Sequence, residues 1–158
     1  MKIKENDTFP NVTFYKITES GPTAIKANQL FKNKIILVGV PGAFTPTCSE
    51  EHLPGYKKLA NDFFSKDVEK IFFVSCNDPF IMKSWGDSLK ISEIDFISDG
   101  NGEFMEISGL EIDLSVAGLG KRLSRFAMLI DNGIIKKIFN ENGPGLDVSK
   151  AENVLKSI

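Results

Sequence analysis

The sequence predicts an α/β fold, a mixed central sheet flanked by helices. Three observations carry this. Two continuous apolar runs, Lys34 to Val40 and Val68 to Ser75, enclose a stretch of helical spacing, which reads as a parallel, right-handed βαβ unit. Asp131-Asn132-Gly133 separates two further apolar runs, a hairpin signal that must add antiparallel strands. The alternating stretch Asn11 to Thr18 adds a strand ahead of the βαβ unit.

Taken in order, Val12, Phe14, Tyr15 and Ile17 mark the first strand, Glu19-Ser20-Gly21-Pro22 a turn, and Thr23 to Ala27 a second short strand. Gln29 to Asn33 reads as one helical turn. Lys34 to Val40 is the central strand, buried on both faces. Leu53, Tyr56, Leu59, Ala60, Phe63 and Phe64 recur every three or four residues and mark a long helix. Pro54-Gly55 interrupts it, so a bend is expected between a short first segment and a longer second one. After the strand Val68 to Ser75, Asp78 caps a helix that has Pro79 first and runs to about Leu89. Asp95 to Ser98 is a short strand, Asp99 to Gly102 a turn, and Glu103 to Leu110 a short helix ended by Gly109. The hairpin strands are Leu123 to Ile130 and Ile134 to Asn140. Ala151 to Ile158 is a closing helix after a Gly/Pro-rich loop.

A chain of 158 residues is read as one domain, 1–158. A net charge of −2 argues against nucleic acid as main partner. No apolar run approaches the ~18 residues of a membrane span. The N-terminal segment has acids and no apolar leader core, so a cytoplasmic protein is expected. With two cysteines and one histidine, no zinc pattern forms, and neither metal nor cofactor is expected. Thirteen phenylalanines point to aromatic packing and an apolar patch for association.

The chemistry gathers in Pro41 to Gly55, PGAFTPTCSEEHLPG. Cys48 stands where a strand ends and a helix begins, and free N–H groups at a helix N-terminus favour an anion. Two helix starts are possible: Thr45 as cap with Pro46 first, or Thr47 as cap with Glu50 completing a capping box. Glu50 and Glu51 oppose a neighbouring thiolate, so a cation from elsewhere in the chain is needed. His52, one turn beyond Cys48, is read as a structural or supporting group, with general acid–base work as the alternative.

The run PGAFTPTCSEEHLPGY, together with Asn77-Asp78-Pro79-Phe80, Trp85-Gly86 and the RLSRF segment Arg122 to Phe126, resembles peroxiredoxins of the type 5, or plant type II, class. The resemblance covers nearly the whole chain. It implies a thioredoxin-like fold with extra N-terminal strands and a thiol-dependent peroxidase that reduces hydrogen peroxide and alkyl hydroperoxides. By resemblance, Cys48 is the nucleophile and becomes sulfenic acid. The Thr45 hydroxyl bonds the thiolate and the peroxide, Arg125 stands beside the thiolate, and Pro41 shields the site. Phe44, Phe80 and Trp85 fall in the region that pairs two copies into a homodimer in this class.

Animal type 5 proteins have a resolving cysteine near the C-terminus, but Gly145 to Ser149 has none. Plant type II proteins have one in the strand before Asn77. Cys76 lies about three residues later, an odd offset that turns it to the other face. Cys76 is therefore read as a buried strand cysteine, with a Cys48–Cys76 disulfide after local unfolding as the alternative. The expected cycle uses one cysteine, with glutathione and glutaredoxin, or thioredoxin, as reductant. Leu119 and Phe126 are expected near the site as apolar neighbours. A redox sensor, or a thioredoxin-like binding or chaperone module, are the competing functions.

Overall fold

The computed structural model describes residues 1–158. The chain forms strands β1 (Thr13–Thr18) and β2 (Gly21–Lys26), helix α1 (Ala27–Leu30), β3 (Lys34–Gly39), α2 (Leu53–Ser65), β4 (Lys70–Ser75) and α3 (Pro79–Ser88). There follow β5 (Asp95–Ser98), α4 (Glu103–Ser108), β6 (Glu111–Asp113), β7 (Lys121–Leu123), β8 (Phe126–Asp131), β9 (Ile134–Asn140) and α5 (Ala151–Lys156). Seven strands make one sheet in the order β2-β1-β5-β4-β3-β8-β9, and β6 pairs with β7 as a separate ribbon. β3, β4 and β5 run parallel, while β8, β9, β1 and β2 add antiparallel pairs. This is the mixed α/β, thioredoxin-like sheet that the sequence predicts. No helix is long and apolar enough to cross a membrane.

Side chains alternate across the sheet and fill a core on each face. Ile36 and Val38 of β3 and Ile71 and Phe73 of β4 face a core shared with Tyr56, Phe63, Trp85 and Cys48. Ile35, Leu37, Phe72 and Val74 face the other, with Phe9, Phe14, Phe31, Phe104 and Phe126. Phe9 packs edge-on to Phe31 at 5.0 Å and stacks on Phe104 at 5.1 Å. Much of the phenylalanine content is thus spent inside.

Local signals are realised with adjusted bounds. The turn after β1 is only Glu19-Ser20, since Thr18 pairs with Gly21. Pro22 is tolerated because β2 is an edge strand. Asp131 pairs with Ile134 across Asn132 (φ 49°) and Gly133 (φ 80°), both in the left-handed region that a tight two-residue hairpin needs. Asp78 accepts from the Ile81 N–H at 2.9 Å and caps α3 behind Pro79. Asp99, read only as a turn residue, caps α4 by accepting from the Phe104 and Met105 N–H groups. The ribbon of β6 and β7 was not legible, because three-residue strands are too short to show a period.

Candidate active site

Cys48 is seated by a helix that starts at Pro46, with Thr45 in the cap position and the Ser49 N–H bonded to the Thr45 carbonyl at 2.9 Å. Of the two possible starts, the chain uses the first. No capping bond comes from Thr47. Cys48 is therefore the third helical residue, and its side chain is fully buried.

Pro54 lacks an N–H for the carbonyl four residues back. The ladder widens upstream instead: Cys48–His52 is π-helical, and the Leu53 N–H reaches the Cys48 carbonyl. Where a bend between two segments is expected, the chain makes a π-helical turn that runs straight into α2. The wider turn carries both Cys48 and His52 into the core.

Arg125 arrives from the other side of the sheet's end. It lies in the joint between β7 and β8 rather than on the hairpin strand expected for it. Register explains its position. Gly39 of β3 pairs with Phe126, and a Cβ on Gly39 would come 2.0 Å from the Phe126 ring. The ring occupies the space a side chain would take, so Arg125 falls level with the residues just beyond β3. Phe126 itself packs in the opposite core. The expectation that it borders the site is corrected on that ground.

The Arg125 guanidinium is buried, 3% exposed, and donates from Nη2 to Cys48 Sγ at 3.2 Å. Nη1 donates to His52 Nδ1 at 3.1 Å. Arg125 Nε has no partner. His52 Nε2 donates to the Ser149 carbonyl at 3.1 Å, which also accepts from the Tyr56 hydroxyl at 2.7 Å. The ring is therefore neutral, with its proton on Nε2. Burial first, and then the Arg125 charge, push His52 down to about 3.

Thr45 donates its hydroxyl proton to the Gly42 carbonyl at 2.7 Å, and not to Cys48 as the resemblance implies. Its oxygen keeps lone pairs for an incoming O–H. Asn77 Oδ1 accepts from the Ala43 N–H and the Ser75 hydroxyl and clamps this loop. The sequence marks Asn77 only as part of the Asn77-Asp78-Pro79-Phe80 segment and does not single it out as a clamp. Phe44 takes a φ of +62°, a costly conformation for a bulky residue, in the same loop. Arg122 does not reach the thiol; it bonds the Leu119 and Pro41 carbonyls. Pro41, Thr45, Ile112, Leu119, Arg125 and Pro144 are among the walls of an open cavity of about 160 Å³. Arg125 links this cavity to the buried Cys48.

Trp85 is fully buried and donates from Nε1 to the Ser49 hydroxyl at 2.9 Å. It is a support for the cysteine helix and cannot be part of a docking surface, which corrects its expected place beside Phe44 and Phe80. Those two are exposed, 53% and 60%. Cys76 stands just past the end of β4 and is half-buried, not a buried strand residue as expected, and it packs with Met105 against the core opposite to that of Cys48. Burial first, and then the Asp99 charge, push its thiol up to about 11. Both cysteines are free.

The neutral His52 makes stability pH-dependent. In the unfolded chain it takes a proton as pH falls through about 6.5, but in the folded chain only near 3. Its contribution is complete above 6.5 and is lost below that, at up to about 1.4 kcal/mol per pH unit. Asp99 acts oppositely: burial pushes its carboxyl from 3.8 to about 6, so its contribution falls as pH rises through that window. Urea unfolding of wild type and His52→Gln at pH 7 and 5 separates the two. The wild type should lose more between these pH values than the variant, because Asp99 is common to both.

Residues 4–155 match the Redoxin family. Peroxiredoxin-2D of Arabidopsis thaliana is 41% identical over 155 residues, 98% of this chain and 88% of that one. Reduced Prx3 of Vibrio vulnificus, solved in complex with H2O2, is 42% identical with a TM-score of 0.94 over 98% of both chains. The antioxidant protein of Plasmodium falciparum, a 1-Cys peroxiredoxin, is 34% identical with a TM-score of 0.92 over 99% of this chain and 100% of that one. With a buried thiol under an arginine at the head of a helix, and likeness over nearly its whole length, the chain belongs to the Redoxin family and, within it, to the type 5 and plant type II peroxiredoxins, which are thiol-dependent peroxidases.

Proposed function

We propose that Cys48 is the peroxidatic nucleophile and that it works without a second cysteine of its own. The carrying observation is the Arg125 Nη2–Cys48 Sγ contact of 3.2 Å beside a buried, unpartnered Nε. A fixed cation favours the thiolate, and a free donor awaits an oxygen that gains charge. The thiolate attacks one peroxide oxygen, an S–O bond forms and the O–O bond breaks. The other oxygen leaves as hydroxide or alkoxide and takes a proton to become water or an alcohol. Cys48 is left as sulfenic acid. Thr45 accepts from the peroxide O–H and orients it, and Pro41 walls the thiol from water.

An outside thiol then attacks the sulfenic sulfur, releasing water and forming a mixed disulfide, and a second thiol frees Cys48. Glutathione with glutaredoxin, or thioredoxin, supplies those electrons. Cys48 is fully buried, so the π-helical segment must open for this step. Cys76, in the opposite core, takes no part. The same reading places a homodimer contact on the exposed Phe44 and Phe80, and the protein in the cytoplasm, whose reducing poise keeps both thiols free. One folded domain, 1–158, carries the whole activity.

One equivalent of hydrogen peroxide tests the one-cysteine cycle. Intact mass should rise by one oxygen, and added glutathione should convert that species to a glutathione adduct. A mass lower by two hydrogens would mean a Cys48–Cys76 disulfide and refute it.

A further inference from the structure

Glu141 follows β9 and lies outside the cavity over Arg125, yet it is bonded toward that residue from two directions. Its backbone N–H donates to the Arg125 carbonyl at 3.1 Å. Its carboxylate gathers the loop that precedes α5. Oε2 accepts from the Asp147 N–H at 2.9 Å, the Ser149 N–H at 2.8 Å and the Ser149 hydroxyl at 2.6 Å. Oε1 accepts from the Val148 N–H at 3.3 Å. Packing gives this loop little support: a Cβ on Gly143 or Gly145 would meet nothing within 4 Å, and Val148 is exposed. The carboxylate accepts most of the loop's side-chain bonds, beside Asn153, which donates to the Asp147 carbonyl at 2.7 Å.

What the folded loop presents is the Ser149 carbonyl. Because that oxygen accepts from His52 Nε2, the imidazole proton is held there, and Nδ1 is left as an acceptor. Only an acceptor at Nδ1 can take the Arg125 Nη1 proton. With Nη1 so held, the planar guanidinium has one orientation, and Nη2 points at Cys48 Sγ. We infer that Glu141 is a positioning residue for the peroxidase reaction: through the Ser149 carbonyl it fixes the His52 tautomer, and through His52 it aims Arg125 at Cys48. The inference rests on the reading of Arg125 as the activating cation.

The charges that face His52 are Arg125, Glu141, and Glu51, Lys150 and Glu152 around an adjoining cavity of about 410 Å³. Cys48 and Tyr56 stand on its own helix. Without the Ser149 carbonyl, His52 loses the bond that selects its tautomer. It can then turn, or carry its proton on Nδ1 instead of Nε2. A ring protonated on Nδ1 offers Arg125 no acceptor.

His52 is the only histidine of the chain, so its imidazole nitrogens give a single, assignable set of NMR signals. Three full-length variants are compared with wild type in the reduced state: Glu141→Ala, Glu141→Asp, which keeps the charge but retracts it, and Glu141→Gln, which keeps the reach. Wild type should show the Nε2–H tautomer with no titration from pH 8 to 5. Glu141→Ala and Glu141→Asp should show the Nδ1–H tautomer or a mixture of the two, the ring staying neutral because its burial and the Arg125 charge remain. They should lose about tenfold to a hundredfold in kcat/KM for hydrogen peroxide, the scale of a misaimed group. Glu141→Gln should show the smaller loss of the series. If Glu141→Ala does not fold, Glu141→Asp carries the same reading. The inference is overturned if the ring stays wholly Nε2–H in the alanine or aspartate variant while activity drops, since Glu141 is then a loop support only. It is equally overturned if activity is unchanged, or if the glutamine variant is the worst of the three, since bare charge then matters and reach does not. An Arg125→Met protein with wild-type activity would remove the reading beneath it, and that failure is separable because the His52 signal is read without turnover.

Discussion

Serine in place of Cys48 is expected to end peroxide consumption, with kcat/KM for hydrogen peroxide lower by about 10⁴-fold or more. The hydroxyl of serine does not ionise near neutral pH, and the chain offers no base to take its proton. His52, the only histidine, has Nδ1 occupied by Arg125 and Nε2 by Ser149. The fold should survive. Sulfur and hydroxyl differ little in size at this fully buried position, and the new hydroxyl faces a donor, so a stability change of only about 1 kcal/mol is expected. The check is a competition assay for peroxide, with circular dichroism on the same sample and intact mass after oxidant. Consumption within about tenfold of wild type, or oxygen gained by the variant, would mean that the chemistry lies elsewhere.

Arg125→Met should lower kcat/KM by about 10²- to 10³-fold, the range for losing a preorganised donor at a charged transition state. Three functions go together here. The Nη2 contact to Cys48, the Nη1 bond that occupies His52, and the free Nε are all lost. Stability should move far less than activity because two effects oppose one another. Removing a buried cation relieves its desolvation. Leaving His52 Nδ1 without a donor costs about 1–3 kcal/mol. Arg125→Lys sharpens the reading. An ammonium keeps the charge but cannot hold His52 and Cys48 with one planar fork, so lysine should recover only part of the loss. Full recovery by lysine would reduce Arg125 to a point charge. Steady-state kinetics in hydrogen peroxide and in an alkyl hydroperoxide, with urea unfolding alongside, read all of these outcomes.

The proposed homodimer surface shows where composition misleads. Phe44, Phe80 and Trp85 look alike in sequence as large aromatic groups near the cysteine helix. In the fold, Trp85 is fully buried and bonded to Ser49, while Phe44 and Phe80 face outward. A helix such as α3 presents different sides to core and solvent, and residues five apart, as 80 and 85 are, fall on different sides.

What the sequence determined by itself is what short spacing controls. The apolar runs of β3 and β4, the Asn132-Gly133 turn and the Asp78 cap depend on neighbours within a few residues. So does the side of the sheet on which Cys76 lies, since strand parity is a count of two. The α/β fold class was legible on the same basis, whereas the reading of Cys48 as nucleophile came from the resemblance of the motif around it.

Only the tertiary structure decided what surrounds the sulfur. Arg125 and Cys48 are 77 residues apart in sequence, and their meeting depends on one register, Gly39 against Phe126. No local pattern specifies that register; it follows from the ring that fills the space over a glycine. The Thr45 hydroxyl turns to Gly42 because of the backbone path through Phe44. His52 is held by a carbonyl 97 residues away, and a backbone carbonyl has no signature in sequence at all. The stretch from Pro41 to Gly55 supplies a thiol and part of its wall. The cation, its aim and the proton arrangement behind it exist only once the sheet is closed.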